Sequence, residues 1–151
     1  MVENGMFPVT LSGVRPGETR AVVALIAEAG LAVDDLQPPK LAHFILARKG
    51  DRIVGAVGLE PAGAEALVRS LAVDAAHRRQ GIASRLVASI EKYARANGVA
   101  RVFLLTTQAA DFFVKQGYRR VARDSAPDPI QATEEFRSLC PSTAACLSKS
   151  F

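Results

Sequence analysis

Apolar positions along this chain recur with a period of two in some stretches and close to four in others, and each change of period marks an element boundary. Phe7-Pro8-Val9-Thr10-Leu11-Ser12-Gly13 alternates as a first strand. Arg15-Pro16-Gly17-Glu18 then opens an apolar helical stretch from about Thr19 to Ala29, with Gly30 at its C-cap. Leu31 to Lys40 is expected to hold a short helix ended by Pro38-Pro39. The runs His43–Arg48 and Ile53–Leu59, separated by Gly50-Asp51, predict a hairpin. Pro61 to Ala64 turns the chain into a further strand, about Glu65 to Val73.

Beyond that strand the period lengthens. Ile82, Leu86, Ile90 and Ala94 recur every four residues, one face of a helix that ends at Asn97-Gly98. A strand over Arg101–Thr106, a helix over Ala109–Gln116 and a strand over Tyr118–Ala122 follow. Asp128-Pro129-Ile130-Gln131 reads as a helix start, with an acceptor at the N-cap and proline in the first turn. That helix is expected over 129–139, with Ala132, Phe136 and Leu139 on one face, stopped by Pro141, and Ser142–Leu147 forms a last strand. No internal repeat or low-complexity segment interrupts this order, which suits an α/β protein: one mixed sheet with helices on both faces, in a single domain over 1–151.

The most informative junction is Leu71-Ala72-Val73-Asp74-Ala75-Ala76-His77-Arg78-Arg79-Gln80-Gly81-Ile82-Ala83-Ser84, a strand that runs through a basic turn into a helix. The first N–H groups of a helix lack partners within it, and the aligned peptide dipoles favour an anion there. Gly81 permits a positive φ and a close approach, and Ala83 adds only a methyl group. Arg78, Arg79 and Arg85 bring positive charge. One charge–dipole contact contributes roughly 0.3–1 kcal/mol, so a guest must engage several donors together, as a pyrophosphate does. Gly55 and Gly58 read instead as close-packed strand positions, because no G-x-G-x-x-G fingerprint surrounds them.

Arg78-x-x-Gly81-x-Ala83 after the strand Leu71-Ala72-Val73 resembles the acyl-CoA motif of the GNAT superfamily, the GCN5-related N-acetyltransferases. Val102-Phe103-Leu104-Leu105-Thr106-Thr107 and the following Ala110-Asp111-Phe112-Phe113-Val114-Lys115-Gln116-Gly117-Tyr118 extend the likeness in order over about residues 53 to 122. The resemblance implies a mostly antiparallel, splayed sheet and an acetyl-CoA-dependent N-acetyltransferase that acts by direct attack of a neutral amine on the thioester. It also implies roles for individual residues. Backbone groups at Leu71 and Val73 would meet the pantetheine and thioester, Arg78 the phosphates, and the amides of Arg79, Gly81, Ala83 and Ser84 the pyrophosphate.

One position departs from the family. Many members carry tyrosine where this chain has Phe113, and a phenyl ring cannot return a proton to the departing thiolate. Tyr118 is a poor substitute, since Gly117-Tyr118 reads as turn and strand packing. This departure keeps open a second class of function, a catalytically silent acyl-CoA-binding or sensing module.

The acceptor side is less legible. Glu60, Glu65 and Glu135 are each able to act as a base through a water, although a solvated surface position is the plainer reading of any one. An inward-facing Arg69 could pair with an oxyanion of the substrate. The tail Ala132-Thr133-Glu134-Glu135-Phe136-Arg137-Ser138-Leu139-Cys140-Pro141-Ser142-Thr143-Ala144 is similar to that of small acetyltransferases encoded alongside arsenic-resistance genes. That likeness implies a small amino compound as acceptor, such as an organoarsenical or a phosphinothricin-like amino acid. The segment 129–139 would then lie over the acceptor mouth, with Glu135, Ser138 or Cys140 approaching the substrate.

Composition narrows the alternatives. With 151 residues, 49% hydrophobic and 23% charged, the chain fits one globular core. The net charge of +4 is scattered apart from the pairs Arg78-Arg79 and Arg119-Arg120, and neither an RNA-type aromatic-basic signature nor a helix-turn-helix is present, so nucleic acid is not an expected partner. Cys140 and Cys146 make no disulfide framework and read as small buried residues. His43 reads as a partly exposed strand residue and His77 as a loop residue beside the cofactor, and two histidines with two cysteines support no metal site. With neither a signal-peptide pattern nor an apolar run of about 18 residues, the expectation is a cytoplasmic protein off the membrane. Homodimerisation, frequent in the family, is expected without an identifiable interface.

Overall fold

Seven of the alternating stretches become strands in the computed structural model, which describes residues 8–151. They are β1 (Val9–Gly13), β2 (Phe44–Lys49), β3 (Arg52–Ala62), β4 (Glu65–Val73), β5 (Arg101–Thr106), β6 (Arg119–Val121) and β7 (Ala145–Ser150). One mixed sheet holds them in the order β1-β2-β3-β4-β5-β7-β6. The α-helices are α1 (Thr19–Glu28), α2 (Ile82–Ala96), α3 (Ala110–Lys115) and α4 (Asp128–Gln131). Two compact units are distinguished: residues up to Gly58 with Ser70–Ile90, and Leu59–Arg69 with Glu91–Phe151.

In the first unit β1 and β2 pair antiparallel with Leu11 opposite Ala47, and β2 and β3 with Phe44 opposite Gly58. A bulge at Ala47/Arg48 shifts the second register. The core gathers Val22 and Ile26 of α1 with Leu36, Leu41, Phe44 and Leu46. Full burial of such a side chain contributes roughly 1.5–3 kcal/mol. Gly58 is where the Phe44 ring lies, since a Cβ there would stand 2.3 Å from its tip. Gly30 ends α1 with φ +79°, as its C-cap pattern predicts. The prolines behave differently from expectation. Pro38-Pro39 start a 3-10 helix, Pro38–His43, rather than ending one, because the N–H groups they lack have no partner in a first turn.

In the second unit β5 runs antiparallel to β7 with Leu104 opposite Leu147, β6 adds to the far side of β7, and β4 pairs parallel with β5 at Ala66↔Val102 and Leu67↔Phe103. Leu67, Phe103, Ile130, Phe136 and Cys146 form its core. Thr106 Oγ1 accepts from the Ala109 amide at 2.9 Å and so opens α3. The helix expected over 129–139 is broken in two. One turn, α4, is followed by a π-helical segment, Glu135–Leu139, in which the Cys140 amide donates back five residues to the Glu135 carbonyl at 3.1 Å. The break falls at Thr133, whose hydroxyl donates to the Ile130 carbonyl at 2.7 Å and leaves Ala132 exposed while Phe136 is buried. Of the first predicted strand, Phe7 lies outside the described residues.

Candidate active site

β4 leads into the basic turn through local bonds. The Asp74 amide donates to the Val54 carbonyl at 2.8 Å, and a 3-10 turn follows over Ala75–His77. His77 Nδ1 lies 2.7 Å from Asp74 Oδ2, and this hydrogen bond chiefly, with Arg52 adding attraction, holds the Asp74 carboxyl below its usual range. Arg78 Nε donates to the Val73 carbonyl at 3.2 Å and closes the turn. Arg79 and Gly81 both take positive φ, +64° and +78°. For glycine that conformation is free, whereas a non-glycine residue gives up on the order of 1–2 kcal/mol, so the rest of the loop must hold Arg79 in place.

Gly81 is the N-cap of α2, since its carbonyl accepts the first helical bond from the Arg85 amide at 3.1 Å. The amides of Ile82, Ala83 and Ser84 are therefore first-turn donors of a fifteen-residue helix. Apart from its chain neighbours, no protein atom lies within 4 Å of where a Gly81 Cβ would be, and Arg78, Arg79 and Ser84 are exposed. First-turn amides, open space and exposed positive charge at one helix start fit a pyrophosphate. Arg85 contributes less directly, since its Nη2 donates to the Val9 carbonyl at 3.0 Å. Leu71 and Val73 end β4 half-buried. Ser70, which precedes them, is buried with φ +60°, a departure from strand geometry that no residue type in the sequence announces.

The second unit holds a separate polar cluster. Arg69 is buried and its Nη1 donates to Glu60 Oε1 at 3.0 Å, while Nη2 stands 3.4 Å from Glu135 Oε1. Side-chain exposures are 1% for Arg69, 19% for Glu60 and 7% for Glu135, so one guanidinium is held between two largely dry carboxylates. The Arg69 side chain is buried, the condition on which a substrate role for it depends. A substrate oxyanion, however, would meet a guanidinium already committed to protein carboxylates. Nothing local in the sequence marks the pairing, because Glu60 and Glu135 lie on different elements.

Glu135 also acts on its neighbour. Burial first, and then the Glu135 carboxylate, push the Cys140 thiol up to about 11, and burial does the same to Cys146. Arg123 fixes the backbone around Cys140 by donating to the carbonyls of Pro141 at 2.7 Å and Phe136 at 3.0 Å. Ser138 is exposed and donates only a long bond to the Glu134 carbonyl, 3.4 Å. Of the three tail residues, Glu135 and Cys140 come together and Ser138 stays outside. Glu65 is paired with Arg101, which stacks on Phe103, and serves packing.

Phe113 is core, edge-on to Phe112 and Tyr118 with centroids 5.2 and 5.3 Å away. Burial and the Glu91 carboxylate push the Tyr118 hydroxyl above its usual range, so it is no better a proton donor than the sequence suggests. Lys149 Nζ lies 2.9 Å from Glu91 Oε1. Among the described residues no group of three or more His, Cys, Asp or Glu side chains is placed to hold a metal, and no helix is long and apolar enough to cross a membrane.

Residues 17–118 match the family model described as Acetyltransferase (GNAT) family, and the chain belongs to that family. Its fold is shared with solved structures of low sequence identity. N-acetylglutamate synthase from Neisseria gonorrhoeae, complexed with coenzyme A and N-acetyl-glutamate, aligns with a TM-score of 0.82 at 21% identity over 95% of this chain. This chain spans only 35% of that synthase. Rv2747 from Mycobacterium tuberculosis, solved with coenzyme A, aligns at 0.78 and 18% identity, covering 94% of this chain and 99% of the other. Arabidopsis thaliana Naa50 with a CoA bisubstrate analogue gives 0.68 and 21%, covering 95% and 99%.

Proposed function

We propose that this chain is an acetyl-CoA-dependent N-acetyltransferase whose acceptor is the amine of a small molecule. The observation that carries this reading is the Arg78–Ser84 turn, where positive φ at Arg79 and Gly81 and an open cap on α2 leave first-turn amides for a pyrophosphate. Family membership and the coenzyme A held by the gonococcal and mycobacterial proteins support the same guest. In this reading Arg78 and Arg79 meet the phosphates, the amides of Arg79, Gly81, Ala83 and Ser84 receive the pyrophosphate, and the backbone at Leu71 and Val73 meets the pantetheine and thioester. The protein then brings the amine to about 3–3.5 Å from the carbonyl carbon and stabilises charge on oxygen. The thiolate leaves without a tyrosine acid, and water protonates it.

The acceptor class we propose is a small amino acid of the organoarsenical or phosphinothricin type, supported by the tail from Ala132 to Ala144. Phe113 favours one other reading, a silent acyl-CoA sensor, because the position usual for the acid is core. Calorimetry with coenzyme A, followed by thiol release from acetyl-CoA with a panel of amino-acid herbicide analogues, arsenical amino acids and lysine peptides, separates the readings. Amine-dependent release supports the enzyme, and binding with no release on any acceptor supports the sensor. Absence of coenzyme A binding sinks both.

A further inference from the structure

We infer that Asp74 is a positioning residue for the cofactor: it anchors His77 and thereby presets the following Arg78–Ser84 turn for a pyrophosphate, without itself touching the guest. The inference rests on the acetyl-CoA reading above and deepens it.

Burial along the loop is the first ground. From Ala75 to Gly81 every residue is exposed except His77, whose side chain is 12% exposed. It is therefore the residue through which the rest of the protein can hold the loop. Its ring is tied to Asp74, with Nδ1 2.7 Å from Oδ2. An ionised carboxylate only accepts, so the proton between them is carried on Nδ1. Asp74 is itself fixed to β3, since its amide donates to the Val54 carbonyl at 2.8 Å and Arg52 stands 3.5 Å from Oδ2. All of these residues belong to the first compact unit.

Backbone geometry is the second ground. The His77 amide donates to the Asp74 carbonyl at 2.8 Å and Arg78 Nε to the Val73 carbonyl at 3.2 Å, which ties the chain back on itself as far as Arg78. Arg78 is extended, with φ −72° and ψ 161°. At the far end the Gly81 carbonyl is held by the first bond of α2. Arg79 and Gln80 span the interval, and Arg79 does so with φ +64°, a conformation its side chain disfavours. A strained residue between two fixed ends relaxes when one end is released. Asp74 holds the near end, and the first-turn donors keep their common aim only while it does.

Charge separates this role from its alternative. The His77 bond chiefly keeps the Asp74 carboxyl below its usual range, so it is ionised at neutral pH. A carboxylate beside an anion site opposes binding by charge alone. If Asp74 acted only as a charge, its removal would tighten coenzyme A binding. As an anchor, its removal loosens binding, so the two roles differ in sign.

Calorimetric titration of the full chain with coenzyme A tests this. Asp74→Ala should weaken binding about ten- to hundredfold, the effect of one charge-assisted hydrogen bond. A smaller loss, or tighter binding, overturns the inference. His77→Phe should weaken binding similarly, and the double variant should bind no worse than Asp74→Ala alone, because both remove one link. Additive losses would give His77 a contact of its own with the guest and overturn the inference. Glu18→Gln, a destabilising change elsewhere in the same unit, should bind as the parent does, and an equal loss there would reduce the Asp74 effect to general destabilisation. If Asp74→Ala fails to fold, Asp74→Asn decides, since it keeps an acceptor for His77 and drops the charge. Weaker binding than the parent is then expected, and equal or tighter binding overturns the inference. Absence of coenzyme A binding by the unmodified protein defeats the parent reading and this inference with it.

Discussion

The buried Arg48 guanidinium meets the Glu18 carboxylate with both terminal nitrogens, Nη2 standing 2.8 Å from Oε1, and so ties β2 to the start of α1. Arg48 also donates to Ser12 Oγ at 2.8 Å and to the Gly13 carbonyl at 2.7 Å, which brings β1 into the same network. The Arg48 hydrogen bond is the main cause that lowers the Glu18 carboxyl from 4.5 to about 2. A carboxyl depressed on folding contributes stability that is present above its unfolded value and lost as the pH falls through the folded one. Urea midpoints should therefore drop between about pH 4.5 and pH 2 in the unmodified protein. Glu18→Gln should remove this part of the slope and cost roughly 1.5–3 kcal/mol at neutral pH, the scale of a charge-assisted bond. A variant whose acid slope matches the parent would show that the pair does not govern acid stability.

How far such features can be read in advance depends on whether their cause is local. Gly30 and Gly98 are legible as helix ends because positive φ and glycine go together, and both take it, +79° and +82°. The strand Glu65–Val73 is legible to the residue because turn residues bound it. Ser70 and Arg79 are not. Each holds a left-handed backbone that its own side chain disfavours, so the cause lies in surrounding structure. The same holds for the acceptor-side cluster, whose members Glu60, Arg69 and Glu135 are nine and sixty-six residues apart and meet only through the fold. Thr133 is obscured for a different reason. Its bond to the Ile130 carbonyl competes with the helix, and the short apolar spacing of Phe136 and Leu139 hides that competition.

Gly58 should tolerate nothing larger. It faces Phe44 across the β2–β3 ladder, and a Cβ would lie 2.3–2.8 Å from three atoms of that ring, well inside contact distance. Since Phe44 is buried in the core with Leu41 and Leu46, the ring cannot swing to solvent without opening a cavity. Gly58→Ala is expected to cost about 1–3 kcal/mol, the range for overpacking, read as a lower urea midpoint with unchanged slope. Adding Phe44→Leu to that variant should recover part of the loss. No recovery would place the strain elsewhere.

Both thiols should be poor nucleophiles at neutral pH. A rise from 9.0 to about 11 lowers the thiolate fraction roughly a hundredfold, so iodoacetamide should modify the folded protein far more slowly than the urea-unfolded chain. Glu135 raises the Cys140 value but has no part in that of Cys146. Glu135→Gln should thus speed alkylation of Cys140 and leave Cys146 unchanged, as mapped by peptide mass spectrometry. Equal acceleration at both would indicate general loosening of the tail.

Replacing Gly81 separates the cost of backbone strain from the loss of a ligand contact. Gly81 and Gly30 share a positive φ, +78° and +79°, and at neither would a Cβ come within 4 Å of a protein atom beyond the adjoining residues. Alanine at either site therefore meets no steric clash, and each should lower stability by a similar amount, about 1 kcal/mol, through the left-handed conformation alone. Their effects on coenzyme A should differ. At the N-cap of α2 a methyl group would enter the open space at the helix start, where the pyrophosphate is proposed to sit, whereas Gly30 lies at the C-terminal end of α1. Gly81→Ala is expected to weaken coenzyme A binding by about tenfold, and Gly81→Val by more, with Gly30→Ala binding as the parent does. Equal affinities for all three would remove the Arg78–Ser84 turn from the cofactor site.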